Sequence, residues 1–202
     1  MIKIRKNKKI AKIFSLVLCF AIISTLFAIP SSAYTFETGG KRQSTPVYFY
    51  IASQGDNRFV TDFKSAMSAW NNAGFGSLIQ YSGRRSALVP SYDGYNTVTF
   101  GNRGSTVALA ITNISYYTNT GVIVESDIDV NTYYTFKFST DSALVSGYDA
   151  QSMFTHELGH ALGLGEEYNE TEATMYYNMG INETKKRSLH SDDISGLSAL
   201  GY

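Results

Sequence analysis

Cysteine is all but absent from this chain of 202 residues, and the single one, Cys19, lies in an apolar run near its start. One thiol cannot close an internal disulfide, so an exported protein of this sequence must stand on its hydrophobic core or on bound metal. Net charge is also missing, with 17 basic against 17 acidic residues, but the balance is uneven along the chain. Every acidic residue follows residue 33, whereas Lys3, Arg5, Lys6, Lys8, Lys9 and Lys12 precede it. Residues 34–202 therefore carry 11 basic and 17 acidic groups, a charge of about −6. Nothing in that balance suggests a basic surface for nucleic acid or anionic lipid. No second apolar span, repeat or low-complexity tail follows. The expectation is a monomer with no nucleic-acid partner and no stable membrane association.

The first 33 residues read as a targeting segment. A basic stretch leads into the apolar run Ile13 to Ile29, and Ser31-Ser32-Ala33 is a small-residue cleavage site. This is the pattern of a secretory signal peptide, with Tyr34 as mature N-terminus and an extracellular destination. The alternative is an uncleaved membrane anchor. Leu18 precedes Cys19 where a lipoprotein signal wants a small residue, so no lipid anchor is expected. Residues 34–45 read as a short leader, and 46–202 as one domain, long enough to bury a core of its own.

Pro46 to Ile51 is a near-continuous apolar and aromatic run, the pattern of a buried strand. Asp56 or Asn57 can cap a following helix. Phe59, Val60, Phe63, Ala66, Met67 and Trp70 recur at helical spacing and predict an amphipathic helix over 57–72. Short β-type runs follow at Leu78 to Tyr81, Thr97 to Phe100, Val107 to Thr112 and Val122 to Val130, separated by Gly and Asn clusters. Tyr116, Tyr117, Tyr133, Tyr134 and Phe136 fall in loop-like sequence. Glu125, Asp127 and Asp129 alternate, and so share one face of a strand. They read either as a calcium site or as a solvated edge. Near the end, Ser191 is the predicted cap of a last helix. Asp192 and Asp193 stand in its first turn, and Ile194, Leu197 and Leu200 form its buried face.

The stretch richest in chemistry is His156-Glu157-Leu158-Gly159-His160-Ala161-Leu162-Gly163. With Asp149 as N-cap, it predicts a helix over about 150–163. Histidines four apart share a helix face one turn from each other, the reach needed to hold one zinc ion. Glu157 projects beside the metal and can take a proton from water activated there. Gly163 can adopt the left-handed conformation that ends the helix and turns the chain back, bringing residue 166 round to the metal.

These residues resemble a metzincin zinc endopeptidase, and within that clan the matrixin catalytic domain of bacterial secreted type. His156, Glu157, His160 and Gly163 match the extended motif, and Thr174-Met175-Tyr176 resembles the Met-turn. Asp192-Asp193-Ile194 with Gly196, Ala199 and Leu200 resembles the C-terminal helix, and Asp127 to Asn131 the strand before the motif. The resemblance implies an α+β fold for 46–202. A twisted, mixed five-stranded sheet with an antiparallel edge strand and three helices would frame a zinc cleft with a Met-turn. Val107 to Ile111 is the expected edge strand, against which an extended peptide would pair.

Several residues depart from the pattern. The third zinc ligand of the family is usually His or Asp, whereas position 166 is Glu. Glu166 is the expected ligand and Glu167 its rival. Two histidines and a glutamate form catalytic zinc sites elsewhere. His190 is the remaining histidine, and reads as a surface or packing residue rather than a ligand. Tyr177 stands where matrixins usually have proline. It reads either as a hydrogen-bond donor to the oxyanion or as plain aromatic packing. No propeptide with a cysteine switch and no histidine-rich structural zinc loop is present. The reading is a secreted zinc endopeptidase with Glu157 as general base and Met175 as an apolar floor under the metal. Its rivals are a catalytically silent, zinc-stabilised binding module and a zinc hydrolase acting on cell-wall cross-links.

Overall fold

The apolar run at Pro46 to Ile51 becomes β1 (Val47–Ala52), with Val47, Phe49 and Ile51 buried. The structure is a computed structural model that describes residues 34–37 and 44–202, so the signal-like segment 1–33 lies outside the described residues. After β1 the chain enters α1 (Asn57–Asn71), capped by Asp56, whose carboxylate accepts from the Arg58 N–H at 2.7 Å. Four more strands follow: β2 (Ile79–Arg85), β3 (Asn96–Gly101), β4 (Ala110–Tyr116) and β5 (Ile123–Asn131). They form one sheet in the order β2-β1-β3-β5-β4. Pairing is parallel throughout except at β4, which runs antiparallel to β5 and forms an edge. This is the mixed five-stranded sheet that the resemblance implied.

Strand boundaries differ from the pattern read in the sequence, most of all at β2 and at the edge strand, which runs on past Thr112 to Tyr116. β2 continues past Tyr81 to Arg85, because its pairing with β1 resumes after a register shift. The edge strand begins at Ala110 rather than Val107. The Asn131 side-chain amide donates to the carbonyls of Val107 and Ala108, at 3.3 and 3.1 Å, and takes that stretch out of the ladder. A small parallel pair, β6 (Phe136–Lys137) with β7 (Tyr148–Asp149), lies in sequence too short and irregular to show a strand period.

The motif helix is α2 (Ala150–Leu162). Asp149 caps it by accepting from the Ser152 N–H at 2.8 Å, and Gly163 ends it at φ 106°. α1 and α2 pack together under the sheet around Phe63, Trp70, Phe154 and Leu158, all fully buried. Trp70 does more than fill space, since its Nε1–H donates to the Thr155 carbonyl at 2.8 Å and ties α1 to the motif helix.

The last helix, α3 (Ser191–Leu200), is capped by His190 and not by Ser191. The His190 ring accepts from the Asp192 N–H, while Asp193 accepts from the His190 N–H at 2.7 Å. That reciprocal pair is a capping box, and it employs His190 in the fold, away from metal. Leu197 is buried as expected, but Ile194 is 37% exposed and Asp193 takes the inward position.

Candidate metal centre and cleft

His156 and His160 stack one turn apart on α2, their rings nearly perpendicular with centroids 4.8 Å apart. His156 Nδ1 lies 2.8 Å from the Thr174 carbonyl, and His160 Nδ1 lies 2.9 Å from the Leu164 carbonyl. A carbonyl can only accept, so each Nδ1 carries the proton. The two Nε2 atoms are left facing each other across 3.1 Å, an arrangement that needs a proton or a metal cation between them. The reversal at Gly163 then delivers the Glu166 carboxylate, Oε2 3.5 Å from His156 Nε2 and Oε1 3.6 Å from His160 Nε2. Buried Oε2 has no hydrogen-bond partner among the described residues. Burial alone would lower the His160 pKa, but the Glu166 carboxylate and the charge of Glu157 hold it up at about 9. Burial likewise opposes ionisation of Glu166, yet His156 and His160 keep it well below the usual carboxylate range. The cluster is thus built to hold positive charge. Donors at about 2.0–2.1 Å from a tetrahedral zinc stand about 3.3–3.4 Å apart. The donor set therefore fits zinc.

Glu167 is turned the other way. Its N–H donates to the Met175 carbonyl at 2.8 Å, and its own carbonyl accepts from the Tyr177 N–H at 2.9 Å. Its fully buried side chain accepts from the N–H groups of Asn169 and Glu170. Only one of the two neighbouring glutamates is therefore brought to the histidines.

Three distant segments brace this centre. The chain turns at Ala173–Tyr176, with the Tyr176 N–H donating to the Ala173 carbonyl. Asp193 of α3, 1% exposed, accepts from the N–H groups of Thr174 at 2.9 Å and Met175 at 3.0 Å, and so aims the Thr174 carbonyl at His156. Met175 lies beneath Gly159, where any Cβ would overlap its sulfur. Residues 35–37, read from sequence as leader, instead pair with the loop that carries Glu166. The Glu37 N–H donates to the Gly163 carbonyl and the Gly165 N–H to the Thr35 carbonyl, both at 2.9 Å, while Thr35 Oγ1 donates to the Glu166 carbonyl at 2.6 Å.

Glu157 is buried against β4, its Oε2 accepting from Thr112 Oγ1 at 2.6 Å. On either side of it open two cavities that share Ala108, Ala110, Glu157 and Glu166. The larger, about 420 Å³, runs along β4 past Ile111, Thr112 and Tyr116. The smaller, about 250 Å³, is walled by Tyr134, Tyr148, Met153 and Met179 and reaches Lys186. Tyr177 stands at its margin, 54% exposed and stacked on Tyr168 with ring centroids 5.4 Å apart. Burial lowers the Lys186 pKa to about 8, opposed by the charges of Glu166, Glu183 and Glu157.

The acidic face of β5 is neither a calcium cluster nor a solvated edge. Asp127 accepts from the N–H groups of Ser91 at 2.8 Å and Thr97 at 2.7 Å, and Glu125 from that of Asp93 at 3.2 Å. Asp129 takes Thr99 Oγ1 at 2.9 Å and Arg103 Nε at 2.8 Å. With their oxygens spent on donors from β3 and the segments flanking it, these carboxylates have no need of a cation. Among the described residues the cluster suited to a metal is His156, His160 and Glu166.

The sequence profile of the matrixin family matches residues 52–201, three quarters of the chain. The chain belongs to the matrixin family. Metalloendoproteinase 1 of Glycine max is 39% identical over 61 residues, which are 30% of this chain and 19% of that protein, so the chain spans about a fifth of that relative. High choriolytic enzyme 1, a hatching-enzyme zinc protease of the medaka fish Oryzias latipes, aligns in structure with a TM-score of 0.41 and 12% identity. That alignment covers 85% of this chain and 95% of the fish enzyme. Membership of a zinc metallopeptidase family agrees with the donor set at 156, 160 and 166. Two residues of the matrixin cleft left no mark in the sequence. Thr112 is 45 positions from the Glu157 it binds, and Lys186 is one of three consecutive basic residues that look alike until folded.

Proposed function

We propose that this matrixin is a secreted zinc endopeptidase that cleaves extended peptides laid against β4. The observation carrying the proposal is the pair of Nε2 atoms 3.1 Å apart, closed by the Glu166 carboxylate, with the Glu157 carboxylate beside them on the same helix. His156, His160 and Glu166 would hold zinc. When bound, zinc supplies a Lewis acid that polarises the scissile carbonyl and makes water a stronger acid. Glu157 takes the proton of the attacking water and returns it to the leaving amine. The Thr112 hydroxyl, spent on Oε2, fixes that carboxylate against the wall and leaves Oε1 to receive the proton. The antiparallel edge of β4 offers backbone groups for strand addition by the substrate. Tyr177 is assigned as donor to the oxyanion, since it lines the cavity beside His156 and Glu157 with its ring steadied by Tyr168. Met175, packed under Gly159, floors the site as the Met of a Met-turn. Secretion rests on the basic, apolar and small-residue order of residues 1–33. Among the described residues no helix is long and apolar enough to cross a membrane.

The test is zinc content and peptide-library cleavage for wild type, Glu157→Gln, Glu166→Ala and Glu167→Ala. One zinc per chain is expected in wild type and Glu157→Gln, with cleavage reduced at least hundredfold in the latter. Glu166→Ala should lose both metal and cleavage. Wild type that binds zinc but cuts no peptide would replace this reading with the silent binding module. Digestion of purified peptidoglycan instead of peptides would point to the cell-wall hydrolase. Zinc retained in Glu166→Ala and lost in Glu167→Ala would overturn the ligand assignment.

A further inference from the structure

Lys186 is 2% exposed, and among the described residues no carboxylate lies within ion-pair distance of it. Its two neighbours are paired. Lys185 meets Glu172 at 3.3 Å and Glu183 at 3.6 Å, and Arg187 Nε meets Asp149 at 3.0 Å. Those anchors hold the short 3-10 turn Lys185–Arg187 against the start of α2, so the lysine between them is kept inside. Its ammonium donates to the Tyr176 carbonyl and stands 3.3 Å from His156 Nδ1. The latter already gives its proton to Thr174 and cannot accept another. An ammonium has three donors, and the described residues satisfy one. The surrounding carboxylates lie beyond ion-pair distance and have nearer partners: Glu166 the two histidines, Glu157 Thr112, and Glu183 the Gly180 N–H and Lys185.

A buried cation with no carboxylate paired to it is costly, and is suited to a ligand that brings the paired charge. Here the cation lines the smaller cavity, together with His156, Glu157 and Glu166. Aromatic and thioether walls suit a methylene stem, and the ammonium suits a carboxylate at its end. Resting on the endopeptidase reading, we propose that this cavity takes the side chain of a glutamate or aspartate next to the scissile bond, with Lys186 as its charge partner. The protein thereby selects acidic peptides. The net negative charge of residues 34–202 does not oppose this, because charges farther than about 10 Å away are largely screened at ordinary salt.

Matched peptides that differ only by Glu or Gln at each position flanking the bond decide the question. Wild type with zinc is expected to cleave the Glu peptide at least fivefold faster in kcat/KM at one of the two positions. Lys186→Met should cancel or reverse that ratio, and Lys186→Arg should keep it. Calorimetric binding of the same peptides to Glu157→Gln should show the same preference without turnover. A smaller ratio in wild type, or an undiminished one in Lys186→Met, overturns the proposal. If Lys186→Met does not fold, the wild-type and Lys186→Arg ratios decide. If wild type cuts no peptide at all, the endopeptidase reading falls. The binding ratio alone then decides the acidic pocket, upholding it at fivefold or more and refuting it below.

Discussion

Asp193→Ala should damage both the stability of the domain and its hold on metal, by one mechanism. The carboxylate is 1% exposed and accepts three backbone N–H groups, from Thr174 at 2.9 Å, Met175 at 3.0 Å and His190 at 2.7 Å. Hydrogen bonds to a charged acceptor contribute about 1.5–3 kcal/mol each, and buried donors left without a partner add their desolvation cost. The His190 N–H is part-buried and can turn to water, whereas those of Thr174 and Met175 are buried. A loss of about 3–4 kcal/mol follows, or about 6–16 °C in Tm for a domain of this size. Asp193→Asn, which can keep the oxygen shared by Thr174 and His190, should lose only about 1–2 kcal/mol. The Thr174 carbonyl that orients His156 would drift in the alanine variant, and loss of such outer partners weakens metal binding roughly 10- to 100-fold. Urea unfolding in excess chelator isolates the stability term, and competition with a zinc indicator isolates the affinity. An alanine variant within 1 kcal/mol of wild type that binds zinc within about threefold of it would refute the reasoning, since neither the clamp nor its transmission to His156 would then matter.

Gly159→Ala should cost about 1–3 kcal/mol by overpacking, because the new Cβ would overlap Met175 Sδ and come within 2.9 Å of Trp70 Cζ2. A melting temperature equal to wild type would show that the floor beneath the helix yields freely. Burial of Asp127, aided by the nearby charges of Glu125 and Asp93, raises its pKa to about 6 against the pull of the Ser91 and Thr97 N–H groups. A carboxyl raised on folding stabilises the fold in its protonated form. That contribution is fully present below the ordinary pKa near 4 and lost as pH rises through about 6, up to roughly 3 kcal/mol. Urea unfolding between pH 4 and 7 should show this fall in wild type and a flatter profile in Asp127→Asn. Parallel profiles would refute it.

What the chain alone determined is local. Histidines four apart on a helix, Asp149 before it and Gly163 after it follow from helical period, capping and the left-handed freedom of glycine. Each needs only the residues next to it. The apolar run at Pro46 to Ile51 and the stripe from Phe59 to Trp70 were legible for the same reason. Everything decided by a partner far along the chain was not. Glu166 rather than Glu167 reaches the histidines because the backbone of 167 pairs with Tyr176 and its side chain caps the next turn. The edge strand starts at Ala110 because Asn131 takes the carbonyls before it. The acids of β5 meet backbone donors and not calcium, because the N–H groups of Ser91, Asp93 and Thr97 come down on them from more than 25 positions away. Of three consecutive basic residues only Lys186 lines the cleft, because Lys185 and Arg187 are held by carboxylates that only the fold brings near. Short-range periodicity is written in the order of residues, whereas competition among equivalent side chains is settled by which donor or charge the tertiary structure puts within reach.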